Sequence, residues 1–264
     1  MAMPFLKWAG GKRWFTSRYL DILPKRYNRY IEPFVGSGAV FFALEPHEAI
    51  IGDVNKQLID TYLALKDNWE KVLYFLRCYA VSHSKDHYYS VRAKIPETIH
   101  EQAARFIYLN RTCWNGLYRV NKGGNFNVPI GTKSKVLLDT DDFKKAAELL
   151  QNTTIVNSDF EEIINSAQEG DLVFADPPYT VKHNNNGFVK YNEDMFKWED
   201  QVRLHDAIVR ATNRNIKIVM TNANHSSIVE LYSGFKRRIV SRASVIAASS
   251  NNRGKYEELI IRNF

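Results

Sequence analysis

Residues 30–45 read YIEPFVGSGAVFFALE, and residues 48–53 follow as EAIIGD. The apolar run up to Val35 has the composition of a strand, and Gly36 and Gly38 permit a tight turn. From near Ser37 the spacing becomes helical, and EAIIGD reads as a second strand that ends at Asp53. Strand, crossover helix and strand make a βαβ unit, which in an open sheet leads to parallel strands with helices on both faces. Ligands of such sheets sit beyond the carboxyl ends of the strands, which is where Phe34, Gly36, Gly38 and Asp53 fall.

The alternation then breaks. From Asn55 to about Arg111 apolar residues recur at helical spacing in LIDTYLAL, WEKVLYFLRCYA and EQAARFIYLN. GLYRVNKGGNFNVPIG reads as a β-hairpin around Gly123 and Gly124. Strands resume at TTIVNSD, DLVFAD and IKIVMTN, with helices near 160–167 and 199–213. The segment SVIAASSNNRGKYEELIIRNF reads as a closing antiparallel pair, and KHNNNGFVK at 182–190 as a mobile loop. The expected architecture is α/β: a Rossmann-like, doubly wound mixed sheet built from residues 1–55 and 146–264, with an inserted helical plus β-hairpin subdomain at 56–145.

Composition excludes several classes. No window approaches the roughly 18 to 20 apolar residues of a membrane span, and MAMPFLKWAGGK lacks the apolar centre of a secretory signal, so a soluble, cytoplasmic protein is expected. Cys78 and Cys113 lack paired Cys/His spacing, which suggests core thiols and neither a disulfide nor a zinc site. His83 and His87 stand four apart without a third ligand and read as surface residues, and His183 falls in the 182–190 loop. No heptad pattern argues for an oligomer, so a monomer is expected. The net charge of +7 favours a polyanionic partner. From Gln102 to Leu138 no acid occurs, while Arg105, Arg111, Arg119, Lys122, Lys133 and Lys135 do, and Tyr232 to Tyr256 is a second acid-free stretch. Both suggest a positive surface able to track phosphates.

LVFADPPYT at 172–180 runs an apolar strand into an acid, two prolines and a tyrosine. Pro177 and Pro178 remove two backbone donors and hold the chain extended, so Asp176 and Tyr179 are displayed on a stiff corner. The F-x-G-x-G spacing of Phe34, Gly36 and Gly38 differs from the dinucleotide fingerprint, and no phosphate-loop pattern surrounds Gly11 and Lys12. Asp53 closes the second strand, the position that binds ribose hydroxyls in nucleoside-binding sheets.

FLKWAGGK at 5–12, EPFVGSGAV at 32–40, GDVN at 52–55, YLNRTCWNGLYRVNKGGNFNVPIG at 108–131 and DPPY at 176–179 resemble, in that order, the Dam-type (D12 class, group alpha) site-specific DNA adenine-N6 methyltransferases. The resemblance spans nearly the full chain. It implies S-adenosylmethionine as methyl donor, double-stranded DNA as partner, and transfer to N6 of an adenine flipped out of a GATC site. No metal is implied, because the sulfonium already activates the methyl group and orientation with local charge does the rest. Asp176 and the Pro177 carbonyl would accept from the adenine amine and stabilise its developing charge, and Tyr179 would stack on the flipped base.

The same resemblance assigns Trp8, Gly11 and Lys12 to the methionine end of the donor. Phe34, Gly36 and Gly38 would line it, Asp53 would hold its ribose and Asp159 its adenine amino group. Asp159 also stands where an acid can cap a helix, and Trp8 where it can pack in a core. Lys7, Asn115, Leu117, Arg119 and Pro129 would read or border the DNA site, Arg119 as a bidentate donor to guanine and Leu117 or Pro129 against a thymine methyl. Trp114 would lie beside the space the base vacates, or pack in the hairpin. The alternatives are a catalytically silent DNA-binding protein and a methyltransferase acting on RNA, cytosine N4 or a side-chain amide.

Overall fold

The computed structural model describes residues 2–121, 123–181, 196–243 and 255–264. In chain order its elements are α1 (Arg13–Arg18), β1 (Tyr30–Glu32), α2 (Ala39–Leu44), β2 (Ala49–Asp53), α3 (Lys56–Val81), α4 (Lys85–Ala93), α5 (Ile99–Thr112), α6 (Phe143–Gln151), β3 (Thr153–Asn157), α7 (Phe160–Asn165), β4 (Leu172–Ala175), α8 (Trp198–Asn213), β5 (Lys217–Ala223), α9 (Ser226–Leu231), β6 (Lys236–Ala243) and β7 (Lys255–Arg262). The seven strands form one mixed, mostly parallel sheet in the order β3-β2-β1-β4-β5-β7-β6. This is the doubly wound α/β architecture expected from the alternation of elements.

Two compact units divide the chain. The first comprises Met1–Ser17 and Val35–Asn157. In it β2 pairs in parallel with β3 from Ala49↔Thr153 to Asp53↔Asn157, and α3 packs on α5 and α6. Local chemistry sets the helix limits. Asn55, Ser84, Thr98 and Asp142 each accept a backbone N–H of the first turn of α3, α4, α5 and α6, removing an otherwise unpaired donor. Asn68 interrupts α3 with φ −154° and restarts it by accepting from the Lys71 N–H. Arg111, on α5, is fully buried: it donates to the Phe5 and Val136 carbonyls and forms a two-point ion pair with Asp141 at 2.6 Å.

The second unit comprises Arg18–Phe34 and Ser158–Phe264. Its strands run β1, β4 and β5 in parallel, then β7 antiparallel to β5 and β6 antiparallel to β7. β4, read LVFA, is buried at all four positions, as a strand covered on both faces must be. α7 packs against α8, which covers β5.

Several expectations change in detail. β1 ends at Glu32, because Pro33 offers no N–H to continue a ladder, and α2 begins at Ala39 because Gly38 takes the left-handed cap conformation at φ 66°. The hairpin at 116–131 is held by single antiparallel bridges, Val120↔Phe126 and Cys113↔Ile130, in place of a regular ladder. The closing antiparallel pair is β6 with β7, so the strand opposite KYEELIIR is 236–243, and residues 244–254 and the loop at 182–190 with His183 lie outside the described residues. Cys78 is exposed on α3, whereas Cys113 is buried and burial pushes its thiol up to about 11. His83 and His87 are half-buried against Tyr108 in place of lying on the surface; His83 Nδ1 is 2.8 Å from the Tyr108 hydroxyl. Of the cations in the first acid-free stretch, Arg105 and Arg111 are buried, Arg105 donating to the Val91 and Arg92 carbonyls, so they hold the interior together and leave the surface to Arg119, Lys133 and Lys135. No helix among the described residues is long and apolar enough to cross a membrane.

Candidate active site

In the first unit the glycine turn, the 8–12 loop and the end of β2 come together. The Gly36 N–H donates to Asp53 Oδ2 at 3.3 Å, and the Asn55 N–H donates to Asp53 Oδ1 at 2.9 Å. Burial, opposed by these backbone donors, raises the Asp53 carboxyl from 3.8 to about 6. Gly36 has φ 47°, and a Cβ there would stand 2.6 Å from Trp8 Cδ1, so only glycine lets the turn approach the indole. A Cβ at Gly11 would be 3.7 Å from Ser37 Oγ, which places the 8–12 loop against the same turn. Trp8 is stacked on Tyr118 with centroids 5.6 Å apart, and Lys12 is buried with its ammonium donating to the Gly10 carbonyl at 2.8 Å. Tyr62, which sequence reasoning missed, donates its hydroxyl to the Gly36 carbonyl at 3.0 Å and stands under Gly38.

The hairpin residues of the same unit also share one region. The Trp114 N–H donates to the Pro129 carbonyl and the Asn127 N–H to the Arg119 carbonyl. The Trp114 ring is 52% exposed, so it is not a packed hairpin residue. Asn115 is exposed with φ 56°, a left-handed conformation that asparagine tolerates better than most side chains. Arg119 is exposed and donates Nε to Asn127 Oδ1 at 3.0 Å; Leu117 is half-buried and Pro129 exposed. Lys7 joins this region through its backbone, paired with the Asn110 side chain in both directions, and its ammonium donates to the Arg111 carbonyl. Burial and the neighbouring Lys133 charge hold the Lys7 pKa below its ordinary value.

In the second unit β4 delivers Asp176, Pro177, Pro178 and Tyr179 at its carboxyl end. Thr221 Oγ1 donates to Asp176 Oδ1 at 2.7 Å, and the Tyr179 hydroxyl donates to Glu258 Oε2 at 2.6 Å. Tyr179 is half-buried, its hydroxyl anchored inward. Burial, then the Asp176 and Glu258 charges, raise its pKa well above the usual phenol value. Phe34 stacks on Phe160 at 5.3 Å and meets Phe196 edge-on at 5.8 Å. Asp159 caps α7 by accepting from the Glu161 N–H, and its carboxylate also pairs with Arg203 at 2.8 Å. No group of three or more His, Cys, Asp or Glu side chains among the described residues could hold a metal ion.

The signal for the missed residues was present in the strands. Thr221 and Asn222 follow the apolar run IVM of β5 and Glu258 precedes the apolar run LII of β7, and all three are buried polar side chains. Local rules broken in this way are expected near functional sites.

Comparison with known proteins gives the chemistry its context. Type II methyltransferase M1.LlaDCHI of Lactococcus lactis subsp. cremoris is 36% identical over 99% of this chain and 95% of its own length. Type II methyltransferase M.MjaIII of Methanocaldococcus jannaschii is 34% identical over 99% of both chains. A DNA adenine methylase of Vibrio cholerae is 30% identical over 97% of this chain and 94% of its own length. Residues 8–246, which contain every motif from the Trp8 loop to the DPPY corner, match the family described as D12 class N6 adenine-specific DNA methyltransferase, and the chain belongs to that family.

Proposed function

We propose that the protein transfers a methyl group from S-adenosylmethionine to N6 of an adenine flipped out of duplex DNA, within a GATC site. The observation that carries the reading is the corner at the end of β4, where Asp176 accepts a hydrogen bond from Thr221 of β5 and Tyr179 donates one to Glu258 of β7. The exocyclic amine of adenine is a weak nucleophile because its lone pair is delocalised into the ring. Asp176 and the Pro177 carbonyl accept its two hydrogens, favour a pyramidal nitrogen and stabilise the positive charge that grows there. Tyr179 stacks on the extruded base, and the two prolines keep acceptor and ring on one stiff segment.

The residues of the first unit suit the donor. Asp53 is a part-buried acceptor beside a backbone N–H, apt for ribose hydroxyls, and Lys12 offers a cation for a carboxylate. Trp8, Gly11, Gly36 and Gly38 complete its surroundings, with Phe34 and Asp159 serving the adenine end. When bound, the donor supplies an electrophilic methyl on a sulfonium. Residues 56–145 act as the target-recognition subdomain of a catalytic domain made of 1–55 and 146–264. There Arg119 reads a guanine, Leu117 or Pro129 touches a thymine methyl, Lys7 and Asn115 border the site, and Trp114 stands beside the vacated base space. The protein acts as a cytoplasmic monomer.

The test is transfer of labelled methyl from S-adenosylmethionine to two matched duplexes, one with a single GATC and one with that site scrambled. Label on adenine N6 of the GATC duplex alone is expected. Label in both discards the assignment of Arg119, Leu117 and Pro129; label in neither overturns the reading. In Asp176→Ala methyl transfer is expected to fall to near zero while donor binding, measured by calorimetry, persists. Wild-type turnover in that variant would sink the mechanism.

A further inference from the structure

Beyond the four motif residues, the corner has its own scaffold. Thr221 and Asn222 are fully buried and Glu258 is 2% exposed, all in strands at the centre of the second unit. Register fixes their faces. Thr221 stands opposite Ile260 and Ala223 opposite Glu258, and directly opposed residues share a face. Thr221 and Glu258 are therefore on one face and Asn222 on the other. Ala175 pairs with Met220, which brings Asp176 level with Thr221.

On the opposite face Gln201 of α8, fully buried, donates Nε2 to the Pro178 carbonyl at 3.3 Å and accepts at Oε1 from Asn222 Nδ2 at 3.2 Å. The corner is thus gripped from both faces by residues 23 to 79 positions away in sequence.

We propose that Glu258 is a positioning residue for methyl transfer: through the Tyr179 hydroxyl it holds the motif ring at one orientation, while Thr221 holds the Asp176 carboxylate beside it. This rests on the reading of Asp176 and Tyr179 as the residues that receive the target base. For stability alone an apolar side chain at position 258 would serve at least as well, because a buried carboxylate carries a desolvation cost that its hydrogen bonds only partly offset. Its benefit is orientation. A tyrosine ring turns about two side-chain bonds, and fixing its far end to a strand settles both before the base arrives. The 2.6 Å separation is that of a charge-assisted O–H···O bond, the strong kind.

The experiment compares Glu258→Ala, Glu258→Gln, Tyr179→Phe and the Glu258→Ala/Tyr179→Phe double variant, in labelled-methyl assays on the GATC duplex. Glu258→Ala and Tyr179→Phe are each expected to lower kcat about 100-fold, the effect of roughly 1 Å of misplacement, with KM for DNA and donor within about threefold of wild type. Glu258→Gln keeps an acceptor oxygen at the same reach and is expected to recover kcat to within about fivefold of wild type. The double variant should be no worse than the more impaired single, since all three break the Tyr179–Glu258 hydrogen bond. Unchanged kcat in Tyr179→Phe, additive losses, or a Glu258→Gln as impaired as Glu258→Ala would each overturn the proposal. Should Glu258→Ala fail to fold, shown by lost donor binding, Tyr179→Phe and Glu258→Gln still decide it. Asp176→Ala is the control: if it is inactive while Tyr179→Phe and Glu258→Ala match wild type, only the positioning role fails, and if it is active the underlying reading fails.

Discussion

Asp53→Asn should stabilise the free protein at neutral pH while weakening donor binding. The carboxyl closes β2, accepts from two backbone N–H groups and is raised by burial from 3.8 to about 6. A gap of about 2 on the pH scale corresponds to about 3 kcal/mol at roughly 1.4 kcal/mol per unit, as an upper bound for holding the charge at pH 7. Water reaches part of the side chain, and the amide keeps one of the two accepted hydrogen bonds, so a net gain of about 1 kcal/mol is expected. The sign follows from proton counting. Because the folded carboxyl keeps its proton to higher pH than the unfolded one, the folded state binds more protons between about pH 4 and pH 6, and stability falls as pH rises through that window. The assay is urea unfolding of wild type and Asp53→Asn at pH values from about 4 to 8, paired with calorimetry of donor binding. The advantage of the variant should be absent near pH 4, grow up to about pH 6 and level off above it. A difference that does not change with pH, or one largest at pH 4, would refute the reasoning.

Three further outcomes are expected. Arg111→Ala should cost about 3–5 kcal/mol in urea unfolding, since it leaves the Asp141 carboxylate and the Phe5 and Val136 carbonyls without their buried cation, and a loss under 1 kcal/mol would contradict the structure. Arg119→Ala should leave unfolding unchanged, because the side chain is exposed, yet relax discrimination at one guanine by about 1–3 kcal/mol in competition between site and near-site duplexes. Gly36→Ala should displace the Trp8 indole, seen as a change in tryptophan emission, and weaken donor binding at least about tenfold, given a Cβ that would fall 2.6 Å from the ring at a positive φ. Unaltered emission and affinity would show that the turn yields without cost.

The βαβ opening, the helical block after Asn55 and the strand leading into Asp176 were legible because each is written in nearest-neighbour terms: period, glycine, proline and cap. Such signals are local, and β2, α3, α8 and β4 lie within a residue or two of where they are read. Asp53 could be placed at the end of a strand from its neighbours alone; its raised carboxyl could not, because desolvation depends on what folds over it. Arg105 and Arg111 look in sequence like members of a solvent-facing basic run, and only packing against Val91, Phe5 and Asp141 turns them inward. The same holds for Cys78, whose side of α3 is set by what packs on the other side. The grip on the DPPY corner is furthest from view. Thr221 reaches Asp176 across 45 residues and Glu258 reaches Tyr179 across 79, contacts that exist only once β5 and β7 take a particular register. Local sequence names the DPPY corner, and the long-range register of the sheet decides how its side chains are held.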